Sequence, residues 1–244
     1  MQSGFVRFAV VLAVALALHA AISGGAQAAT LEVSPTGQPE QFIFGFEPPS
    51  IEGFDGVTFG MSMEEVEQKA AELYPGAELA WLEDRVKQTN MLHVTLESLS
   101  PVRGTRGVGP ATITYVFGSQ SQRLIAINLN WYLGAERGAT LEERASVLAL
   151  GTMYVAELLR YAWGSGMAVR GIVTGPNDVV LFAGRDLEGR GVEVVAEGVP
   201  LDVMILPEGI EEYRPIETGP VRLRIAFAAQ PEDPDVFAIP PGAF

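Results

Sequence analysis

Between residues 123 and 133, Ile125, Ile127, Leu129, Trp131 and Leu133 alternate with Ala126, Asn128, Asn130 and Tyr132. Successive side chains of a strand point to opposite faces, so this run predicts a sheet with one apolar and one mixed face. Such a pattern belongs to an antiparallel sheet covered on one side only. The neighbouring runs 91–99 and 111–117 are rich in β-branched and aromatic residues, and residues 118–122 read as the hairpin loop between two of these strands.

Helix signals bracket this sheet. Ser62-Met63-Glu64-Glu65 and Thr140-Leu141-Glu142-Glu143 both fit a capping box, in which the hydroxyl takes a backbone N–H and the second Glu reaches back to the cap. Val66, Ala70, Leu73 and Tyr74 follow the first box at helical spacing until Pro75-Gly76. An apolar run from 147 to 163 follows the second box and goes well round the helix, which predicts a helix sandwiched on two sides. Strand signals then return at 168–174, 179–183, 191–196, 201–206 and 221–229. The expectation is therefore an α+β chain of two helix-plus-antiparallel-sheet units, residues 51–136 and 137–229, arranged as a tandem repeat.

The ends carry other signals. Arg7 precedes an apolar run from Phe8 to Ile22, and Ala26-Gln27-Ala28 supplies an A-x-A cleavage site, so residues 1–28 read as a secretory signal peptide. Residues 29–50, with Pro35, Pro39, Pro48 and Pro49, read as a linker or edge strand, and the Pro-rich residues 230–244 as a mobile tail. The expected location is the periplasm or the exterior, with no stable membrane insertion after signal cleavage.

Cysteine is absent, which removes a lipid-accepting Cys, a thiolate nucleophile and any disulfide framework. The formal charge is −14, and removing Arg7 makes it one unit more negative, a balance that disfavours nucleic acid and anionic membranes as partners.

The octapeptide Phe59-Gly60-Met61-Ser62-Met63-Glu64-Glu65-Val66 resembles the helix start of small periplasmic domains of the SmpA/OmlA and β-lactamase-inhibitor-protein-like group. The resemblance implies a short helix packed on an antiparallel sheet, a unit that inhibitor-type members carry twice. The acylated Cys of the outer-membrane members and the disulfides of the inhibitors are both missing, so the architecture transfers and the partners do not.

Candidate chemistry is sparse. His93 is the one histidine beyond the signal segment, and its place between Leu92 and Val94 reads as a strand histidine rather than a catalytic base. One such His and no Cys exclude the usual zinc sets, and Glu64-Glu65 and Glu142-Glu143 serve the caps and the helix dipole. No catalytic residue, metal or cofactor is called for. Two interaction candidates remain. The glycine-rich loop 100–110 carries Arg103 and Arg106, whose guanidinium forks suit carboxylates. The mixed face of Thr112, Thr114, Asn128, Asn130 and Tyr132 forms a polar platform with an aromatic anchor. The expectation is an exported protein that binds another envelope or secreted protein, the alternative being a carboxylate-dependent periplasmic hydrolase.

Overall fold

The computed structural model describes residues 47–102, 107–163, 167–175, 177–199 and 219–237. A two-residue turn at Asp55 and Gly56, both at positive φ, joins β1 (Gly53–Phe54) to β2 (Val57–Thr58), the geometry that tight hairpins require. Helix α1 (Met63–Leu73) begins at Ser62, whose Oγ accepts from Glu65 N at 3.2 Å while Glu65 Oε2 accepts from Ser62 N at 2.7 Å. Two backbone donors at the helix start, Ser62 N and Glu65 N, are thereby satisfied. Residues 59–66 thus form a turn, with Gly60 at φ +84°, followed by the cap and the first residues of the helix.

Four strands follow as a meander: β3 (Glu78–Asp84), β4 (Thr89–Leu96), β5 (Ala111–Phe117) and β6 (Leu124–Leu133). Helix α2 (Leu141–Leu158) starts at a second complete capping box on Thr140 and Glu143. After it come β7 (Met167–Gly175), β8 (Asp178–Arg185), β9 (Gly191–Glu197) and β10 (Val221–Ala228). The strand expected at 201–206 lies outside the described residues, as does the whole of the expected signal segment.

The expectation of two helix-plus-sheet units is overturned. The fold is mostly sheet: one eight-stranded antiparallel sheet in the order β3-β4-β5-β6-β10-β9-β8-β7, the small β1-β2 hairpin, and two helices among the described residues. β6 and β10 pair from Leu133↔Val221 to Ala126↔Ala228, so one backbone ladder joins strands of the two expected units, 51–136 and 137–229. The physical reason is that the last strand of each meander has a free backbone edge, and pairing the two edges satisfies both ladders at once.

One core lies on the helix-covered face. Ile113, Tyr115, Ile127, Leu129, Trp131, Leu223, Ile225 and Val194 alternate inward from adjacent strands and are fully buried, and Val66, Ala70, Val147 and Leu150 of the helices join the same cluster. Burying each large apolar side chain contributes about 1.5–3 kcal/mol, so this face holds the molecule together. Trp131 satisfies its buried indole by donating to Leu99 O at 3.2 Å. Gly151 lets α2 sit close to the sheet, since a Cβ there would come within 2.7 Å of Leu181 Cδ1 and 2.9 Å of Leu223 Cδ1.

α2 is not sandwiched on two sides as its apolar run predicts. Arg144, Val147, Leu150, Gly151 and Val155 form one buried stripe, and Leu141 remains exposed. It also ends earlier, at Leu158, where the Trp163 indole donates back to Leu158 O at 2.6 Å. Arg144 is 1% exposed and donates from Nη1 to Gly198 O and from Nη2 to Gly219 O at 2.7 Å, so a buried guanidinium ties the end of β9 and the approach to β10 onto the helix.

The start of the tail makes specific contacts with the sheet's loops. Asp235 accepts from Gln120 N at 3.0 Å, Ser121 N at 2.8 Å and Ser119 Oγ at 3.3 Å, and Phe237 N donates to Lys87 O at 2.9 Å. Glu232 pairs with Arg185. At the end of the expected linker, Glu47 O accepts from Ala162 N and Pro49 is buried, and just beyond it Ile51 N donates to the buried Asp186 carboxylate at 2.9 Å.

Candidate functional site

Strand parity and register define the second face of the sheet. With Ile127, Leu129 and Trp131 turned into the core, Asn128, Asn130 and Tyr132 must turn the other way. Their partners share that face: Thr95↔Thr112, Thr112↔Asn130, Asn130↔Arg224 and Arg224↔Val195 make one continuous row across five strands. The next row runs His93↔Thr114, Thr114↔Asn128, Asn128↔Ala226 and Ala226↔Glu193. Tyr132↔Arg222 and Arg222↔Glu197 form a third row along one side. Directly opposed side chains lie about 4.5–5.5 Å apart at Cβ, so these rows are contact rows.

The five face residues predicted from sequence, Thr112, Thr114, Asn128, Asn130 and Tyr132, are therefore brought together on one surface. Thr114 is buried among its neighbours, Thr112, Asn128 and Asn130 are half-buried, and Tyr132 stands out at 54% exposed. Arg103 and Arg106 of the predicted loop lie outside the described residues.

Sequence reasoning missed the charged part of this surface. Arg222 Nη1 lies 3.6 Å from Glu197 Oε2 and its Nη2 donates to Asn130 Oδ1 at 3.4 Å, while Arg224 Nη2 meets Glu193 Oε2 at 2.5 Å. A signal was present: Arg222 and Arg224 alternate with Leu223 and Ile225, as Glu193 does with Val192 and Val194. What the alternation lacked was the adjacency of β9, β10 and β6, which only the fold supplies. His93 sits at the edge of the same surface, and partial burial holds its imidazole below the ordinary histidine value.

Other features have structural work. Burial opposes ionisation of Asp186, but donation from Ile51 N, then from the Arg190 side chain and backbone, holds its carboxyl below the ordinary aspartate value and closes the turn between β8 and β9. A cavity of about 150 Å³ lies beside the end of α2, lined by Ile51, Tyr154, Tyr161, Trp163, Val192 and Phe227 among others. Apart from Ser50 and the two tyrosines, the lining side chains are apolar. Among the described residues no group of three or more His, Asp or Glu is placed to hold a metal ion, and no helix is long and apolar enough to cross a membrane.

No protein-family model, curated protein or solved structure matches this chain.

Proposed function

We propose that the chain is an exported envelope protein that binds a partner protein on the open face of its eight-stranded sheet. One observation carries the reading: the register collects Thr112, Thr114, Asn128, Asn130 and Tyr132 with Arg222 and Arg224 on the face turned away from the core. Among the described residues the helices cover the other face, and on this one Tyr132, Arg222 and Arg224 keep 54%, 40% and 30% exposure while Thr114 and Val195 are buried between them. Tyr and Arg are the residue types that protein interfaces favour at their energetic centres, and a mixed rather than purely apolar surface suits a partner that comes and goes. Export rests on the signal-like residues 1–28, and the partner class follows from that compartment.

The test is site-specific photo-crosslinking in the envelope of cells making the full chain. A photoreactive residue at Tyr132 is expected to capture one discrete protein, and Asn128→Arg on the same face is expected to abolish the adduct. The same photoreactive residue at Val86, 82% exposed but off this surface, should not give that adduct. Equal capture from both positions, or an adduct indifferent to Asn128→Arg, refutes the reading.

A further inference from the structure

The open face also indicates the chemistry of what it would hold, given the docking reading above. A guanidinium carries five N–H donors in a planar fork that matches a carboxylate bidentately. Arg222 spends two nitrogens at 3.6 Å on Glu197 and 3.4 Å on Asn130, both longer than the 2.7–3.2 Å of a well-formed N–H···O bond. Arg224 spends one Nη on Glu193. Among the described contacts, the fork of Arg222 is only loosely engaged, and Nε and the second Nη of Arg224 are uncommitted. The two side chains are 40% and 30% exposed, within reach of an incoming group.

The surroundings favour a narrow intruder. Glu193 and Glu197 hold the guanidiniums from the β9 side, and the neighbouring floor is low, built from Ala126, Asn128, Ala226 and Ala228. Tyr132 stands next to Arg222 and offers an aromatic wall. On β5, β6, β9 and β10, Arg222 and Arg224 are the only positive side chains that the described register places on this face. Glu193 and Glu197 balance the two arginines and the chain as a whole carries −14, so an incoming carboxylate has to displace a resident one and has to be carried on a neutral or basic partner surface.

We propose that Arg222 and Arg224 form the anchor for one Asp or Glu side chain carried at the tip of a projecting loop of the partner protein. The loose Arg222–Glu197 pair is the contact that yields to it. Asn130 orients Arg222, and Tyr132 packs against the loop.

The probe is a displayed library of short randomised loops, each closed by a disulfide, selected against the full chain. The enriched loops are expected to share one Asp or Glu at a fixed position. Arg222→Gln and Arg224→Gln should each weaken these loops by about ten- to a hundredfold, and amidation of the loop carboxylate should cost the same and not add to the arginine change. Arg222→Lys, which keeps the charge and loses the fork, should also weaken binding, and an unchanged urea midpoint shows that each variant is folded. Loops weakened by Tyr132→Ala and Asn130→Ala but lacking a shared carboxylate, or indifferent to both arginines, overturn the anchor and leave the docking face standing. Loops indifferent to all four positions, or no enrichment at all, count against the anchor, the former also against the face.

Discussion

Thr140 and Glu143 show how much a single turn can carry. Thr140 Oγ1 accepts from Glu143 N at 3.2 Å, Glu143 Oε2 accepts from Thr140 N at 2.8 Å, and Arg137 reaches the same carboxylate from Nη1 at 3.1 Å and Nη2 at 2.5 Å. Replacing a hydroxyl cap by Ala removes one of these bonds and exposes an orphan donor. Ser62→Ala and Thr140→Ala are each expected to cost about 0.5–2 kcal/mol in urea unfolding. The Arg137 hydrogen bonds, followed by the Thr140 backbone bond, bring the Glu143 carboxyl down from 4.5 to about 2. Its folded value lies below its unfolded one, so its contribution is complete above pH 4.5 and is lost as pH falls towards 2. In an acid titration followed by helix ellipticity, Glu143→Gln should flatten the dependence on pH within that window; an unchanged profile would show that the carboxylate does not hold α2 in place.

At the scale of elements, the fastening of the tail is the most testable contact. Asp235 gathers two backbone N–H groups and the Ser119 hydroxyl of the loop between β5 and β6, and the bonds from Ser121 lead in holding its carboxyl below the usual aspartate value. Asp235→Asn should speed amide hydrogen exchange at Gln120 and Ser121 while leaving the strands' exchange unchanged, because loop opening is local. Nothing in the Pro-rich sequence of the tail announces this contact, since its partner lies far away along the chain. Local signals were legible: both capping boxes start helices where Ser62 and Thr140 stand, and the alternation in β6 turns Asn128, Asn130 and Tyr132 to one side. The run 78–84 escaped notice because Glu78, Glu83 and Asp84 interrupt its apolar pattern, and those charges are what an edge strand such as β3 uses to discourage further pairing. Least legible was the union of β6 with β10, a backbone pairing between residues nearly a hundred positions apart that leaves no mark in either strand's side chains.

For the whole molecule, the sheet divides the labour between its faces. One face buries Trp131, Leu129, Ile225 and their neighbours under both helices and carries the stability; the other presents short polar side chains, an exposed tyrosine and two arginines in the middle of an acidic chain. Half of this candidate site could be read from the alternation of β5 and β6, and the half on β9 and β10 could not, because it depends on that non-local pairing. If this second face serves recognition rather than folding, affinity and stability are separable. The decisive measurement takes the protein captured at Tyr132 and determines its affinity for wild type and for the Asn130→Ala, Tyr132→Ala double variant, alongside the urea midpoint of each. Affinity is expected to fall at least about tenfold with the midpoint nearly unchanged. Unchanged affinity, or a loss that merely tracks a fall in the midpoint, would contradict recognition by this face.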